Sequence, residues 1–126
     1  MIDEIEGRGK PVITVPESPV TELVIIDDIE GEGAAVPVGA SVTVHYVGVG
    51  QQTGKQFDAS WDRNEAISFG LNQVIAGWRD GLVGMKVGGR RTLHIPGDQA
   101  YGQRPPTPAI KPNETLVFVV DLIDFR

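Results

Sequence analysis

The stretch from Val74 to Met85, Val-Ile-Ala-Gly-Trp-Arg-Asp-Gly-Leu-Val-Gly-Met, decides the fold because it is the one segment with a helical period. Its apolar residues Val74, Ile75, Trp78, Leu82 and Met85 fall three to four positions apart, as on one face of a helix. This spacing predicts a helix of about two to three turns with a single buried stripe.

The ends and the interior of this helix contain residues with strong local preferences. Asn72 is placed to cap its start, and Gly84 is placed to end it. Gly77 and Gly81 lie inside it and each costs about 1 kcal/mol relative to alanine. We therefore expect the helix to be held by packing against a sheet rather than by its own propensity.

The segments on both sides of the helix have the patterns of β-strands. Ser41–Val49 and Arg90–Ile95 alternate apolar and polar residues, as strands with one buried face do. Thr115–Ile123 is nearly all Val, Leu and Phe, which is typical of a central strand buried on both faces. Further strands are predicted at residues 22–29, 56–59 and 67–69. These elements predict the α+β class, with an antiparallel sheet of roughly five strands covering one short helix.

Residues 1–20 differ in composition from the rest of the chain. They contain several helix and strand breakers around one apolar patch, Val12–Val15. We therefore divide the chain into an irregular N-terminal arm, 1–20, and one domain, 21–126. The patch either adds to a sheet edge or belongs to a mobile tail, and we favour the tail. Docking of a partner by the arm is a weaker hypothesis.

A long connection joins the strand that ends near Ile95 to the strand that starts near Thr115. Loops of this length in compact domains are usually functional or disordered. Its four prolines reduce the entropy lost when the loop becomes ordered. They lie at Pro105, Pro106, Pro108 and Pro112. We interpret the loop as a shaped lip, with a rigid surface loop of no function as the alternative.

Composition excludes several classes of function. The chain has 126 residues, 11 basic and 17 acidic side chains, no cysteine and two histidines. Disulfides, a thiol nucleophile and a thiolate metal site are therefore impossible, and His45 and His94 cannot build a metal centre unaided. We expect neither metal nor cofactor. The acidic balance argues against nucleic acid, whose phosphates require clustered Lys and Arg.

The sequence also bears on location and on conventional catalysis. The N-terminal residues lack the basic flank and apolar stretch of a secretory signal, and no apolar run approaches about 18 residues. We expect a cytoplasmic protein that does not contact membranes.

His45 and His94 lie mid-strand on the more polar face, outside any nucleophile motif. Asp27 and Asp28 are neighbours in a strand, so they point to opposite faces and cannot share a substrate.

A set of motifs covering about residues 22–126 resembles FKBP-type peptidyl-prolyl cis-trans isomerases, in the order found in that family. The motifs are Val44-His-Tyr-Val-Gly, Gly54-Lys-Gln-Phe-Asp-Ala-Ser, Phe69-Gly-Leu, Val74-Ile-Ala-Gly-Trp-Arg-Asp-Gly-Leu, Gly84-Met-Lys-Val-Gly-Gly-Arg-Arg, Ile95-Pro, Ala100-Tyr-Gly and Leu116-Val-Phe-Val-Val-Asp-Leu. The resemblance implies an antiparallel sheet half-wrapped around a short helix, with an apolar pocket between them that takes a proline side chain.

The resemblance also implies roles for individual residues in that pocket. Trp78 would be its floor, and Tyr101 would donate its hydroxyl to a bound carbonyl. The remaining implied positions are the walls Tyr46, Phe57 and Phe118, the mouth carboxylate Asp58 steadied by Arg63, the rim Val74 and Ile75, and the aliphatic lip Ile110. Phe69 is interpreted as mainly core.

The chain departs from the family pattern at the rim. Ile67 stands where the family often has an aromatic residue, and Gln73 stands where it often has Glu. We still count Ile67 among the ligand-binding residues. Pro106 and Ala109 replace residues that are commonly His and Ile. These changes leave macrolide affinity and the preference for the residue before proline as open questions.

The implied function is a monomeric peptidyl-prolyl cis-trans isomerase. It would rotate Xaa-Pro bonds of proline-containing polypeptides, assist protein folding and be inhibited by rapamycin-like macrolides. The alternative is a non-catalytic module that binds proline peptides or macrolides in the same pocket.

Overall fold

Six antiparallel strands form one sheet in the computed structural model, which describes residues 2–126. The strands are β1 (Val24–Ile29), β2 (Ser41–Gly50), β3 (Gln56–Ala59), β4 (Ile67–Gly70), β5 (Arg90–Ile95) and β6 (Leu116–Phe125). Their order across the sheet is β1-β5-β6-β2-β3, and β4 pairs with the first half of β2. The predicted α+β class and antiparallel sheet are confirmed, with six strands in place of about five.

Strand β6 lies between β5 and β2, which confirms that it is a central strand. Its side chains alternate between two buried faces, as the uninterrupted apolar run predicts. The first face carries Leu116, Phe118, Val120 and Leu122 and forms the main core together with the helix that follows β4. The second face carries Asp121, which is fully buried.

Helix α2 (Ala76–Gly81) packs on the main-core face of the sheet and is shorter than its apolar period predicts. Its N-cap is Ile75 and no side chain caps it, so the predicted Asn72 cap is wrong. Its two glycines let the helix approach the sheet closely. A Cβ at Gly77 would overlap Ile95, and one at Gly81 would press on Leu93. Without these Cβ atoms the helix lies directly on β5.

The prediction that the whole N-terminal arm is irregular is wrong, because residues Ile2–Arg8 form helix α1. The helix is stabilised by tertiary packing, since Ile5 is fully buried. After it, Ile13 and Val15 pack against a small cluster of buried residues, Val47, Val49 and Ala59. The apolar patch therefore lies on a face of the sheet and adds no strand to its edge.

Helix α1 covers the sheet face opposite to α2, and this explains the burial of His45. The His45 ring is only 1% exposed and stacks on Trp61 with a centroid separation of 4.3 Å. Its Nε2 lies 3.0 Å from Glu6 Oε2, and its Nδ1 lies 2.8 Å from Ser60 Oγ. The histidine on the polar face of β2 is thus a structural residue that joins the arm to the sheet.

The long loop between β5 and β6 is tied to the β2–β3 turn by one buried carboxylate. Glu114 is 4% exposed. Its Oε2 accepts hydrogen bonds from the backbone N–H groups of Gln52 at 2.8 Å and Thr53 at 3.1 Å, and its Oε1 accepts one from Lys111 N–H at 2.8 Å. The C-terminal end of the connection is therefore fixed to the β2–β3 turn.

We expect Glu114→Ala to lower the free energy of unfolding by about 2–3 kcal/mol, because hydrogen bonds to a charged group are worth about 1.5–3 kcal/mol and three donors lose their acceptor. Glu65→Ala is the matched control, since Glu65 is exposed and should change stability by less than about 0.5 kcal/mol. Urea unfolding followed by tryptophan fluorescence measures both. Equal midpoints for the two variants would contradict the role given to Glu114.

No helix among residues 2–126 combines the length and apolar character that crossing a membrane requires.

Candidate functional site

A cleft of about 420 Å³ opens between α2 and the main-core face of the sheet. Strands, helix and loop each contribute to its walls. It is lined by Tyr46 from β2, Phe57 and Asp58 from β3, Phe69 from β4, Gln73, Val74 and Ile75 before α2, Trp78 from α2, Tyr101 from the long loop, and Phe118 from β6. The structure thus brings together eight of the residues that the sequence predicts for the site.

Trp78 is the centre of the aromatic walls and is 4% exposed. Three rings stand edge-to-face against it: Phe69 at 5.2 Å, Phe118 at 5.4 Å and Tyr46 at 5.5 Å between centroids. Phe57 in turn packs edge-to-face on Phe118 at 5.5 Å. Such pairs are worth about 0.5–1.5 kcal/mol each beyond burial, so the rings form a rigid apolar surface.

The polar wall of the cleft is a hydrogen-bonded trio. The Tyr46 hydroxyl donates to Asp58 Oδ2 at 2.5 Å, and Arg63 Nη1 donates to Asp58 Oδ1 at 2.7 Å. Arg63 Nη2 also donates to the Tyr46 hydroxyl oxygen at 3.0 Å. Arg63 lies on the 3-10 turn Ser60–Arg63 that follows β3, and it is not itself a lining residue. The trio fixes both the tyrosine and the carboxylate.

The trio determines the protonation states of these groups. Burial raises the pKa of Asp58, but the hydrogen bonds from Arg63 and Tyr46 outweigh it, so the net pKa lies below its usual value. Burial and then the hydrogen bond to Asp58 raise the pKa of Tyr46 to about 12. At neutral pH the wall therefore carries a carboxylate and a neutral phenol.

These shifts predict how Tyr46 contributes to stability at alkaline pH. A raised folded-state pKa gives stability that is complete below the ordinary value of 10.0 and is lost as pH rises toward about 12. We expect Tyr46→Phe to lose less stability over this interval than the natural chain. Urea midpoints measured at several alkaline pH values provide the comparison. An alkaline decline of the same size in both chains would contradict the burial of a neutral phenol.

Tyr101 is the one lining residue supplied by the long loop. Its side chain is 37% exposed, so the phenol reaches both the cleft and solvent. Burial and then the negative charge of Asp58 raise the pKa of Tyr101 above its usual value. The hydroxyl therefore stays protonated at neutral pH and is available as a donor.

Besides Arg63, two predicted residues, Ile110 and Ile67, do not line the cleft. Ile110 is 3% exposed and belongs to the main core, and Ile67 is half-buried on β4 against that core. Two other residues line it without a predicted role. The sequence places Phe69 mainly in the core, but its ring packs edge-to-face on Trp78 and also lines the cleft. Gln73 departs from the family pattern, and the sequence assigns it no role.

The lining suits binding without covalent chemistry. It contains no histidine, serine, threonine or lysine within the described residues, so a nucleophile beside a base is missing. Residues 2–126 also contain no group of three or more His, Asp or Glu side chains that could hold a metal ion. The cleft offers aromatic faces for a compact apolar ring, with Tyr101 as a donor at its side.

Similar sequences and structures are found among known proteins. Residues 33–123 match the family model described as FKBP-type peptidyl-prolyl cis-trans isomerase. A probable FK506-binding protein of Corynebacterium glutamicum is 52% identical over 115 residues, which cover 90% of this chain and 97% of the relative. An FK506-binding protein of Streptomyces anulatus is 49% identical over 118 residues, which cover 90% and 95%. The crystal structure of AtFKBP13 matches with a TM-score of 0.75 and 31% identity, covering 87% of this chain and 98% of that one.

Proposed function

Because the chain belongs to the family of FKBP-type peptidyl-prolyl cis-trans isomerases, we propose that it catalyses rotation about Xaa-Pro peptide bonds in the aromatic cleft. The observation that carries this proposal is the set of rings packed edge-to-face around Trp78. These rings provide an apolar surface of the kind that takes a proline ring, next to a polar wall that holds no nucleophile.

The chemistry needs no bond to break. Rotation about the peptide bond has a barrier of about 18–20 kcal/mol because twisting removes the amide resonance. The planar amide is more polar than the twisted one, so transfer from water into the aromatic cleft disfavours the planar ground state more. The barrier falls further if the cleft fits the twisted form better than the planar form. Each tenfold in rate requires only about 1.4 kcal/mol of such preference.

The residues divide this work between them. Trp78 is the floor under the proline ring, and Phe57 and Phe118 form one wall. Tyr101 donates its hydroxyl to a carbonyl of the bound chain. Tyr46 and Asp58 are held rigid by Arg63 and keep the mouth in one shape. Every role here is positional, and no residue acts as a general acid or base.

The proposal also covers the ligands, the substrates, the cellular location and the oligomeric state of the protein. Two relatives carry the name FK506-binding protein, which supports binding of FK506 and of rapamycin-like macrolides in the same cleft. Proline-containing polypeptides are the substrates, and the activity assists protein folding. We propose that the protein acts as a cytoplasmic monomer, and sedimentation equilibrium tests the monomer.

The first test is the cis-to-trans relaxation of short Xaa-Pro peptides, with Xaa varied, at increasing protein concentration. We expect acceleration that is proportional to protein concentration and is abolished by excess macrolide. The double variant Tyr101→Phe with Asp58→Ala should lose most of it, since it removes the hydroxyl donor and the charged mouth together. Acceleration that survives saturating macrolide would place the activity outside the cleft and overturn the proposal.

A binding module without useful turnover is the second candidate. The observation that favours it is Gln73, which lines the cleft in place of the family's usual Glu. Saturable binding of macrolide or proline peptide by the folded protein, with unchanged relaxation rates, would select this alternative.

A further inference from the structure

Strand β1 is an edge strand with uncovered apolar side chains. Among residues 2–126 it pairs only with β5, so its other edge presents backbone N–H and C=O groups that no strand pairs. Its four apolar residues are all exposed, Val24 at 37%, Ile25 at 44%, Ile26 at 42% and Ile29 at 40%. An edge of this kind is a template for adding another strand, and proteins usually protect it with lysines, prolines or bulges. The register shift in β1 lies between Asp27 and Ile29, so the regular part of the strand is Val24–Ile26.

Around this edge, acidic side chains outnumber the basic side chains that pair with them. Residues 22–32 contain five acidic residues and no basic one. Asp27 is paired with Arg91 and Glu30 with Lys86. Glu22 and Glu32 form no ion pair within residues 2–126. The surface therefore complements a segment that is both apolar and basic.

A second copy of the chain is a poor occupant. Pairing β1 with β1 of another molecule would bring two acidic segments together in a protein whose formal net charge is −6. Like charges placed opposite each other in neighbouring strands are destabilising. The same charges attract a basic strand, and they speed its encounter at low salt.

We propose that β1 is a second polypeptide-binding surface, which takes an extended apolar and basic segment as an added strand. The idea rests on the proposed function, because the unfolded substrates of an isomerase expose such segments. None of the β1 residues lines the aromatic cleft. A substrate chain held at β1 therefore leaves the cleft open, and the two contacts raise the effective concentration of its prolines at the cleft.

A proline-free peptide separates this surface from the cleft. The probe is a short, labelled peptide of alternating valine and lysine, followed by fluorescence anisotropy in low salt. A peptide of alternating serine and lysine carries the same charge and controls for electrostatic attraction alone. We expect saturable binding of the valine peptide, at least about tenfold tighter than that of the serine peptide, with no displacement by macrolide.

Two matched variants locate the binding. Ile26→Lys places a repelling charge on the edge, and Val38→Lys makes the same change at an 82% exposed residue outside β1. We expect Ile26→Lys to weaken binding of the valine peptide about tenfold and Val38→Lys to leave it unchanged. Ile26→Thr keeps a strand-forming residue and should weaken it less. Equal binding by the natural chain and Ile26→Lys, or displacement by macrolide, would overturn the proposal.

The effect of β1 on catalysis is measured separately from peptide binding. Ile26→Lys should lower kcat/KM about five- to tenfold for refolding of a basic protein limited by prolyl isomerisation. The same variant should leave the isomerisation of a tetrapeptide unchanged. Loss of activity of Ile26→Lys on both substrates would show a general defect and contradict a separate surface. Inactivity of the natural chain on tetrapeptides would count only against the proposed function. Self-association abolished by Ile26→Lys would assign the edge to a second copy instead.

Discussion

Replacing Trp78 by leucine is expected to lower kcat/KM for Xaa-Pro isomerisation about ten- to a hundredfold. The indole packs edge-to-face against Tyr46, Phe69 and Phe118 at once. Burial of an apolar group of this size is worth about 1.5–3 kcal/mol, and each 1.4 kcal/mol corresponds to tenfold in rate. Leucine keeps an apolar residue in the core, which limits the loss of stability. Peptide relaxation rates at several substrate concentrations give kcat/KM.

The second tryptophan of the chain supplies the matched control. Trp61 stacks on His45 at the sheet face covered by α1 and does not line the cleft. We expect Trp61→Leu to lower the unfolding midpoint and to leave kcat/KM within about twofold of the natural value. Equal losses of activity in the two variants would show that the effect of Trp78→Leu is a general loss of structure.

Asp121→Ala is expected to cost about 3–5 kcal/mol in the free energy of unfolding, because it leaves two nearly buried guanidinium groups without their carboxylate. Asp121 is fully buried, and its Oδ1 accepts hydrogen bonds from Arg90 Nε at 2.8 Å and Arg8 Nη1 at 3.1 Å. The two arginine side chains are each 16% exposed. Urea unfolding measures the loss, and amide hydrogen exchange reports whether α1 opens first.

The exposed ion pair between Lys10 and Asp62 is the control for this prediction. Its side chains are 41% and 49% exposed, although the two charged atoms are only 2.8 Å apart. Water solvates both charges of an exposed pair, so Asp62→Ala should change stability little. If Asp121→Ala costs no more than Asp62→Ala, the arm is not held to the sheet by this carboxylate.

The strands were predictable because each one carries its pattern within its own sequence. Arg90–Ile95 has the predicted bounds, and β2 extends its predicted range by one residue. Helix α1 was not predictable in the same way. It is seven residues long and includes Gly7, and it depends on burial of Ile5 and on the contact between Arg8 and Asp121. Contacts so distant along the chain leave no local period.

The candidate site could likewise be predicted only in part from the sequence. Its lining residues were found through family motifs, because apolar rings at core spacing do not by themselves distinguish a cleft from a core. Phe69 shows this limit, since the same position on β4 fits both interpretations. The buried acceptor role of Glu114 depends on three backbone donors from two segments, and no motif marks it.

Exchange spectroscopy by NMR on an Xaa-Pro peptide, with a small amount of the protein, tests the central claim most directly. It reports cis–trans exchange without a coupled assay, and intermolecular NOEs in the same sample locate the bound proline. We predict exchange cross-peaks that appear with the protein and disappear with excess macrolide, together with NOEs from the proline ring to Trp78 and Phe118. Exchange without those NOEs, or NOEs without exchange, would contradict an isomerase that works in this cleft.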